Sequence, residues 1–295
     1  MSRLALIAGA GALPALIAAR QDQRPVVASL EGFVPDDLTP DITFRLEQLG
    51  STLELLKAQD VSRLCLIGKV SRPTVDMARI DEVTRPLMPK LMEAMAQGDD
   101  GALRGLVAVL EDAGFGIVGA HELAHDLLPS AGALAGQPTK AQETDAARGF
   151  EVIDALGAAD VGQACIVADG QAIAVEALPG TDWMMRSLLV PGAEVASDFT
   201  DPLGMASDWL TGPQTSAAKP KRDPELPQGG LLVKAPKPGQ ELRVDMPTIG
   251  PDTIARAAEV GLDGVVVRAG GVLVLDPERC KQIANDAGLL LWVHP

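Results

Sequence analysis

Hydrophobic positions in the first part of the chain predict strands that alternate with helices. Short apolar runs, typical of buried parallel strands, lie at 4–8, 26–30, 63–67 and 115–119. Helices are expected from near Pro14, from a capping box at 51–54, over 87–97 and over 101–112. This alternation indicates a parallel sheet flanked by helices, and we predict a Rossmann-like α/β domain over residues 1–134.

The pattern changes after about residue 135, where hairpins mix with helices. In QACIVADGQAIAVEAL, Asp169-Gly170 joins two β runs, which is a strong hairpin signal. Further strands are predicted for GLLVKAPK, ELRVDMP and GLLLWVH, a second hairpin around Gly270-Gly271, and helices at 141–157, from Pro251 and at 277–286. Residues 135–295 are therefore predicted to form a second α/β domain with a mixed sheet.

The segment 190–229 interrupts this second domain. It is rich in Pro, Gly, Ser, Asp and Lys and is too long for an ordinary connection, so we predict a mobile excursion. Its apolar residues at 199–210 could form a lid over a hydrophobic ligand. We favour the alternative, a surface loop pinned by a few apolar side chains.

Composition narrows the class of protein. The 295 residues are 47% hydrophobic and 22% charged, which fits a chain that buries a sizeable core. A net charge of -15 disfavours nucleic acid as a partner, because phosphate contacts need a Lys/Arg surface. Cys65, Cys165 and Cys280 form no CxxC and are interpreted as small buried residues in a reducing compartment. The N-terminus is interpreted as strand, turn and helix rather than a signal peptide, and we expect a cytoplasmic protein.

IAGAGALP, directly after the first strand, is a candidate phosphate site, because N–H groups of a glycine turn and a helix start favour anions. Gly9 and Gly11 match the first two glycines of the dinucleotide fingerprint, and Pro14 replaces the third. With Leu13, these residues are candidate substrate contacts. Glu31, at the end of the second strand, stands where a ribose-binding acid would, so a nicotinamide-type domain is a rival. A tight turn without a ligand is a further alternative.

LIGKVSRP ends the strand at 63–67 and places Lys69 and Arg72 beyond its carboxyl end. Ligands of parallel sheets bind at that edge, and two cations there suit a diphosphate. A solvated basic loop is the alternative.

Acids and bases cluster in the second domain. Thr181 and Asp182 follow a predicted hairpin strand, and the nearby set is Lys234, Lys237, Glu241, Arg243 and Asp245. Carboxylates on adjacent strand ends suit magnesium, which prefers oxygen ligands, and lysines could meet phosphate oxygens. Plain surface ion pairs would also explain the pattern.

HELAH, residues 121–125, fits the zinc pattern H-E-x-x-H. The helix would be squeezed between Gly119 and Pro129, and the only other histidine is His294. A zinc protease needs a third ligand, so we do not favour zinc.

Several ordered segments together resemble one family: IAGAGALP, GKVSRP, GIVGAHELAHDLLP, DVGQACIVADGQAIAVEALPGTD, and KAPKPGQELRVDMPTIGPDTI followed by GLDGVVVRAGGVLVLD. Their order and spacing are similar to the UDP-2,3-diacylglucosamine pyrophosphatases of the LpxI type, in the lipid A pathway. The resemblance covers nearly the whole chain apart from 190–229.

The resemblance implies a cytosolic, magnesium-dependent hydrolase whose substrate is UDP-2,3-diacylglucosamine, a UDP-linked glycolipid. The products would be UMP and 2,3-diacylglucosamine 1-phosphate, and the substrate would bind between the two domains. Asp245 would be the catalytic aspartate. The other positions carried over are Asp182 and Lys234, as candidates for catalysis, and Gln163, Thr181 and Lys237, as candidates for substrate contact. Our hypothesis for Mg²⁺ is that Asp245 holds it together with Asp182 or Glu241. Two positions depart from the family pattern. Pro179 stands where an acid would be expected, and Glu241 stands where an aspartate would be expected.

The sequence also predicts partners and leaves two alternative functions open. Acyl chains imply peripheral contact with a membrane, for which 199–210 is the candidate segment, and a homo-oligomer is an open alternative. An NAD(P)-dependent oxidoreductase and a non-catalytic UDP-sugar-binding regulator are the two rival functions.

Overall fold

The computed structural model describes residues 3–71, 75–96, 98–190 and 220–295. Arg72 and the segment 199–210, both singled out in the sequence, lie outside them. The described chain forms two α/β units around separate sheets, which confirms the predicted fold class.

The N-terminal unit is built on a parallel sheet with the strand order β3-β2-β1-β4-β5. Its strands are β1 (Arg3–Ala8), β2 (Val26–Leu30), β3 (Ile42–Phe44), β4 (Val61–Ile67) and β5 (Gly116–Ile117). Its helices are α1 (Leu13–Ala18), α2 (Leu49–Lys57), α3 (Met88–Met95), α4 (Gly98–Asp112) and α5 (Ala120–Leu123). Strand order reverses between β1 and β4, where open α/β sheets bind ligands.

The two faces of this sheet are covered differently. Along β1, Ala5 faces a cluster formed with α2, α3 and α4, whereas Leu4 and Leu6 face the opposite side. On that side, the described cluster includes Ile17 of the short helix α1, Ala120 of the short helix α5 and Leu127 beyond α5. Leu273, from the C-terminal unit, packs into it and is 1% exposed. The two units therefore share part of a core.

The C-terminal unit contains a mixed sheet with the order β6-β15-β13-β11-β7-β8, in which β15, β13 and β11 are parallel. The strands are β6 (Gly132–Ala135), β7 (Ala164–Ala168), β8 (Gln171–Val175), β9 (Leu189–Val190), β10 (Lys221–Arg222), β11 (Leu231–Lys234), β12 (Thr248–Ile249), β13 (Gly264–Arg268), β14 (Leu273–Val274) and β15 (Leu290–His294). The described helices are α6 (Lys140–Ala158), α7 (Thr181–Arg186), α8 (Pro251–Glu259) and α9 (Pro277–Ala287). The predicted domain boundary after residue 134 falls inside β6.

The Asp169-Gly170 hairpin is confirmed. Strands β7 and β8 pair antiparallel, and both turn residues have positive φ, 51° and 76°, as a tight two-residue turn requires. The Gly170 N–H also donates to Asp145 Oδ1 of α6 at 2.6 Å.

Three local predictions were wrong. The Gly270-Gly271 turn does not close a hairpin, because β14 pairs in parallel with β12 instead of with β13. ELRVDMP is a turn rather than a strand, with the Asp245 N–H bonded to Glu241 O at 3.0 Å. Helix α2 begins at Leu49, before the predicted capping box, and the Ser51 hydroxyl donates to Asp81 Oδ2 at 2.7 Å.

The ends of the predicted excursion meet in a small ribbon. Strands β9 and β10 pair antiparallel, with Val190 opposite Lys221. Within the described ranges, no helix combines the length and apolar character needed to cross a membrane.

Candidate functional site between the two units

Lys234 is the buried cation of the site. It ends β11, a central strand between β13 and β7, and is 6% exposed. Burial lowers the pKa of Lys234, and the neighbouring carboxylates of Glu176, Asp182 and Asp245 oppose that shift. Lys69 of the N-terminal unit lies close enough to lower the same pKa by charge repulsion. The structure therefore gathers charged groups from both units around one ammonium.

Thr181 connects Lys234 to Glu176. The Lys234 ammonium donates to Thr181 Oγ1 at 2.9 Å, and the Thr181 hydroxyl donates to Glu176 Oε1 at 2.6 Å. Glu176 Oε2 accepts from the Gln163 N–H at 3.2 Å. This chain fixes the direction of the ammonium, since the hydroxyl proton is already committed to Glu176. Within the described residues Lys234 Nζ has no other hydrogen bond, so two N–H groups stay available to an anion.

Asp245 is held by a glutamine. Gln240 Nε2 donates to Asp245 Oδ2 at 2.6 Å and to Gln163 Oε1 at 3.1 Å. In the described part of the chain, Asp245 Oδ1 has no hydrogen-bond partner. One carboxylate oxygen is thus fixed while the other is free for chemistry.

The segment that carries Asp245 is wedged against the N-terminal unit. Val244 packs on the α2–α4 side of the first sheet, and Met246 packs on the opposite side with Leu273. Arg243 pairs with Glu111 of α4 at 2.8 Å. Asp245 therefore stands at the boundary between the units.

Both carboxylate oxygens of Glu241 are bound by Arg243. Arg243 Nε donates to Glu241 Oε1 at 2.9 Å and Arg243 Nη2 donates to Glu241 Oε2 at 2.7 Å. These bonds hold the pKa of the Glu241 carboxyl below its usual value. Because both oxygens are engaged by Arg243, we do not retain Glu241 as a proposed metal ligand.

Lys237 is also engaged elsewhere. Its ammonium forms an ion pair with Asp160, next to the end of α6, and its side chain is mostly buried. The structure therefore does not bring the Lys237 ammonium to the Lys234 group, and its predicted contact with substrate stays a prediction.

The glycine turns after β1 and β4 pack against each other. The Ala10 N–H donates to Lys69 O at 2.9 Å, and the Lys69 N–H returns a bond to Ala10 O at 2.8 Å. A Cβ at Gly9 would lie 2.5 Å from Lys69 O, and one at Gly68 would lie 2.6 Å from Gly9 O. These glycines are required for the close approach that places Lys69 near Lys234.

The remaining residues of the first glycine motif are not all tightly packed. Gly11 has φ +101° with open space around its Cα, which a bound group could approach. Leu13 is half-buried and Pro14 is buried at the start of α1. Glu31, the predicted ribose ligand of the nicotinamide rival, is exposed and forms an ion pair with Arg45 at 3.4 Å.

HELAH does not form one helix. Helix α5 ends at Leu123, and Ala124 has φ −147° and ψ 74°, so His121 and His125 do not share a helical face. Glu122 Oε1 accepts from the Gly119 N–H at 2.7 Å. A Cβ at Gly119 would lie 2.4 Å from the His121 ring and 3.3 Å from Arg243 Cα, which places His121 at the boundary.

The carboxylates near Lys234 are few for a metal site. Among the described residues, no group of three or more His, Cys, Asp or Glu side chains could hold a metal ion. Mg²⁺ is commonly held by one or two carboxylates together with water and substrate phosphates. Asp245, with its free Oδ1, and the exposed Asp182 fit that mode, since both lie near Lys234.

Sequence reasoning missed Glu176 and Gln240. Glu176 is 7% exposed, and its signal was a single acid at the end of the apolar run AIAVE. Gln240 is a buried amide in a Pro/Gly-rich turn and had no signal of its own.

The three cysteine thiols are buried, as the sequence predicted, and burial raises the pKa of Cys65 to about 12.

The fold and the site define a two-unit α/β protein with a charged site between a Rossmann-like unit and a mixed-sheet unit. Residues 3–127 match the LpxI N-terminal domain, and residues 130–196 and 213–292 match the LpxI C-terminal domain. The chain belongs to the LpxI family. A similar protein, the UDP-2,3-diacylglucosamine pyrophosphatase LpxI of Caulobacter vibrioides, is 35% identical over 304 residues, covering 100% of this chain and 99% of the relative. The resemblance seen in the sequence is confirmed.

Proposed function

We propose that the protein hydrolyses the diphosphate of UDP-2,3-diacylglucosamine to UMP and 2,3-diacylglucosamine 1-phosphate, in lipid A biosynthesis. The observation that carries this proposal is the buried Lys234 ammonium beside Asp245 at the boundary of the units. Among the described residues, two of its N–H groups have no hydrogen-bond partner. Family membership and the similar Caulobacter pyrophosphatase support the choice of substrate.

The diphosphate repels nucleophiles through its own negative charge, so fixed cations must offset that charge as it redistributes. Lys234 supplies one cation in a buried position, where its field is weakly screened. Lys69 supplies a second from the N-terminal unit. The oxygen of a water molecule bonds to one phosphorus atom, and the bond from that phosphorus to the bridging oxygen breaks. The second phosphate leaves with the bridging oxygen, and the protons of the water pass to the phosphate products and the solvent.

Thr181 and Glu176 orient the principal cation. Because the Thr181 hydroxyl donates its hydrogen bond to Glu176, the hydroxyl oxygen accepts from Lys234. This prevents the ammonium from rotating freely and directs its other N–H groups toward the substrate. An oriented donor costs little reorganisation during the reaction.

We also propose dependence on Mg²⁺. Asp245 and Asp182 would hold the ion, with water and diphosphate oxygens as its other ligands. Bound there, it would polarise the diphosphate and lower the pKa of a water molecule. Gly11, Leu13 and Pro14 are proposed to contact the substrate from the N-terminal unit, with Gln163 on the opposite side.

The test is release of UMP from UDP-2,3-diacylglucosamine, followed by chromatography, with the purified chain and saturating Mg²⁺. We expect release by the wild type and a loss of about 10²–10⁴-fold in Asp245→Asn. Asp252→Asn, an exposed carboxylate at the start of α8, is the matched control and should retain activity. Near-normal hydrolysis by Asp245→Asn would contradict the role of Asp245.

The same protein separates the rivals. Tight binding of NAD(P) without UMP release would favour the oxidoreductase, and UDP-sugar binding without UMP release would favour the regulator. EDTA should abolish release and added Mg²⁺ restore it; full activity in EDTA would remove the metal from the proposal. Peripheral contact with a membrane, self-association and cytoplasmic location stay predictions.

A further inference from the structure

Gln240 is a buried amide, 9% exposed, whose side-chain nitrogen and oxygen both have partners. Its Oε1 accepts from the Lys237 backbone N–H at 2.8 Å. Its Nε2 donates to Gln163 Oε1 and Asp245 Oδ2. A buried amide with every polar atom satisfied is held in one orientation.

The partners decide which way the amide points. A backbone N–H can only donate, so the atom next to Lys237 N must be the oxygen. Rotating the amide by half a turn would place the nitrogen against that N–H and the oxygen against the Asp245 carboxylate. Both contacts would then be repulsive, and Nε2 must therefore face Asp245.

The backbone prepares this arrangement. Lys237-Pro238-Gly239-Gln240 forms a turn in which the Gln240 N–H donates to Lys237 O at 3.1 Å. Pro238 occupies the second position and Gly239, with φ +75°, occupies the third, as a type II turn prefers. The Gln240 side chain then folds back onto the first residue of its own turn.

The consequence falls on Asp245. The Gln240 amide is a neutral donor, so it fixes Oδ2 and leaves the negative charge of the Asp245 carboxylate in place. A lysine at this position would offset that charge. Among the described residues Oδ1 is unbonded, so the aspartate presents one defined oxygen. Gln163 is tied to the same nitrogen, which links the segment before β7 to the segment that carries Asp245.

We propose that Gln240 is a positioning residue that directs Asp245 to act through Oδ1. This rests on the proposed function for the catalytic role of Asp245, although the orientation of Asp245 can be measured without activity. Misplacing a reacting group by about 1 Å can cost about 10²-fold in rate, so a neutral amide outside the reaction can control kcat.

The test replaces Gln240 with methionine, which keeps the length and removes both the donor and the acceptor. We expect kcat for UMP release to fall about 10- to 100-fold while KM changes less than about threefold. A crystal structure of Gln240→Met should show the Asp245 carboxylate rotated or in more than one conformer. Gln142→Met is the matched control, since Gln142 Oε1 also accepts from the backbone N–H three residues earlier, at the start of α6, and its kcat should be unchanged.

Each other outcome is decisive. A kcat within twofold of wild type, an unmoved Asp245 carboxylate, or a KM increase as large as the kcat loss would overturn the proposal. If Gln240→Met does not fold, Gln240→Ala removes the same donor and acceptor with a smaller side chain and should show the same loss of kcat. If the wild type releases no UMP, the proposed function fails, and the Asp245 orientation in the variant crystal still decides the positioning role.

Discussion

Arg243 and Glu111 join the two units, with 2.8 Å between Arg243 Nη1 and Glu111 Oε1. Arg243 stands two residues before Asp245 and simultaneously binds Glu241. The ion pair therefore links helix α4 of the N-terminal unit to the segment that carries the proposed catalytic aspartate.

We predict that Glu111→Gln reduces kcat/KM severalfold while the free energy of unfolding changes by less than about 1 kcal/mol. Both side chains are partly exposed, and exposed ion pairs add little to stability. Urea unfolding and steady-state kinetics measure the two effects. Glu151→Gln removes the Arg148 pair of α6 and should leave kcat/KM unchanged. Equal kinetics in both variants would show that the Arg243 link does not position the segment.

Lys234 should make stability and activity respond oppositely to pH. Burial lowers its pKa below the ordinary lysine value of 10.5. Between the lowered pKa and 10.5 the unfolded chain binds more protons than the folded one, so this group's contribution to unfolding free energy rises with pH. Hydrolysis should fall in the same window, because a neutral amine no longer offsets the diphosphate charge.

The measurements are denaturant unfolding and kcat from neutral pH upward, for wild type, Lys234→Met and Lys281→Met. Lys281 is exposed on α9 and serves as the matched control. Relative to wild type, only Lys234→Met should lose both pH trends. An alkaline activity profile shared by wild type and Lys234→Met would contradict the role of this ammonium.

Leu273→Ala should destabilise the protein by about 2–5 kcal/mol, the usual cost of truncating a fully buried leucine. Leu273 lies in the C-terminal unit and packs into the core of the N-terminal unit. Calorimetry should therefore show the N-terminal unit losing stability as well. Leu178→Ala, at 94% exposed, is the control and should change stability by about 0.5 kcal/mol or less. A loss confined to the C-terminal unit would mean that the shared core contributes nothing.

Gly68→Ala should cost more stability than Gly11→Ala, although both glycines have positive φ. At Gly11 nothing lies within 4 Å of the added Cβ, so only backbone strain of about 1–2 kcal/mol is expected. At Gly68 the Cβ would also meet Gly9 O at 2.6 Å, and the β1 and β4 turns must separate. Urea midpoints for the two variants, with kcat as a readout of Lys69 placement, check this. Equal midpoints would show that the turns give way without cost.

Local chemistry predicted much of the fold, because strands such as β1 and the Asp169-Gly170 turn follow from their own residues. ELRVDMP shows the limit. The alternation of Leu242, Val244 and Met246 resembles a strand, yet Val244 and Met246 pack on the other unit while the backbone turns. No neighbouring residue carries that information.

Some residues of the candidate site could be predicted from the sequence and others could not. Lys234, Thr181, Asp182 and Asp245 could be named because charged or hydroxyl residues next to strands suggest chemistry. Glu241 has equal charge and a similar place in the sequence, and only the contact with Arg243 removes it from the proposed ligands. Gln240 could not be found in this way, since its importance lies in three hydrogen bonds to residues that fold toward it.

Strand β6 lies at one edge of the C-terminal sheet, beside β15 and far from its sequence neighbours in that sheet. During synthesis β6 leaves the ribosome long before its partner is made. The N-terminal strands can pair as soon as they emerge, whereas β6 must wait for residues 290–294. In the interval it is an unpaired edge exposed to proteases and to pairing with other chains. The C-terminal sheet therefore stays incomplete at this edge until residues 290–294 have been made.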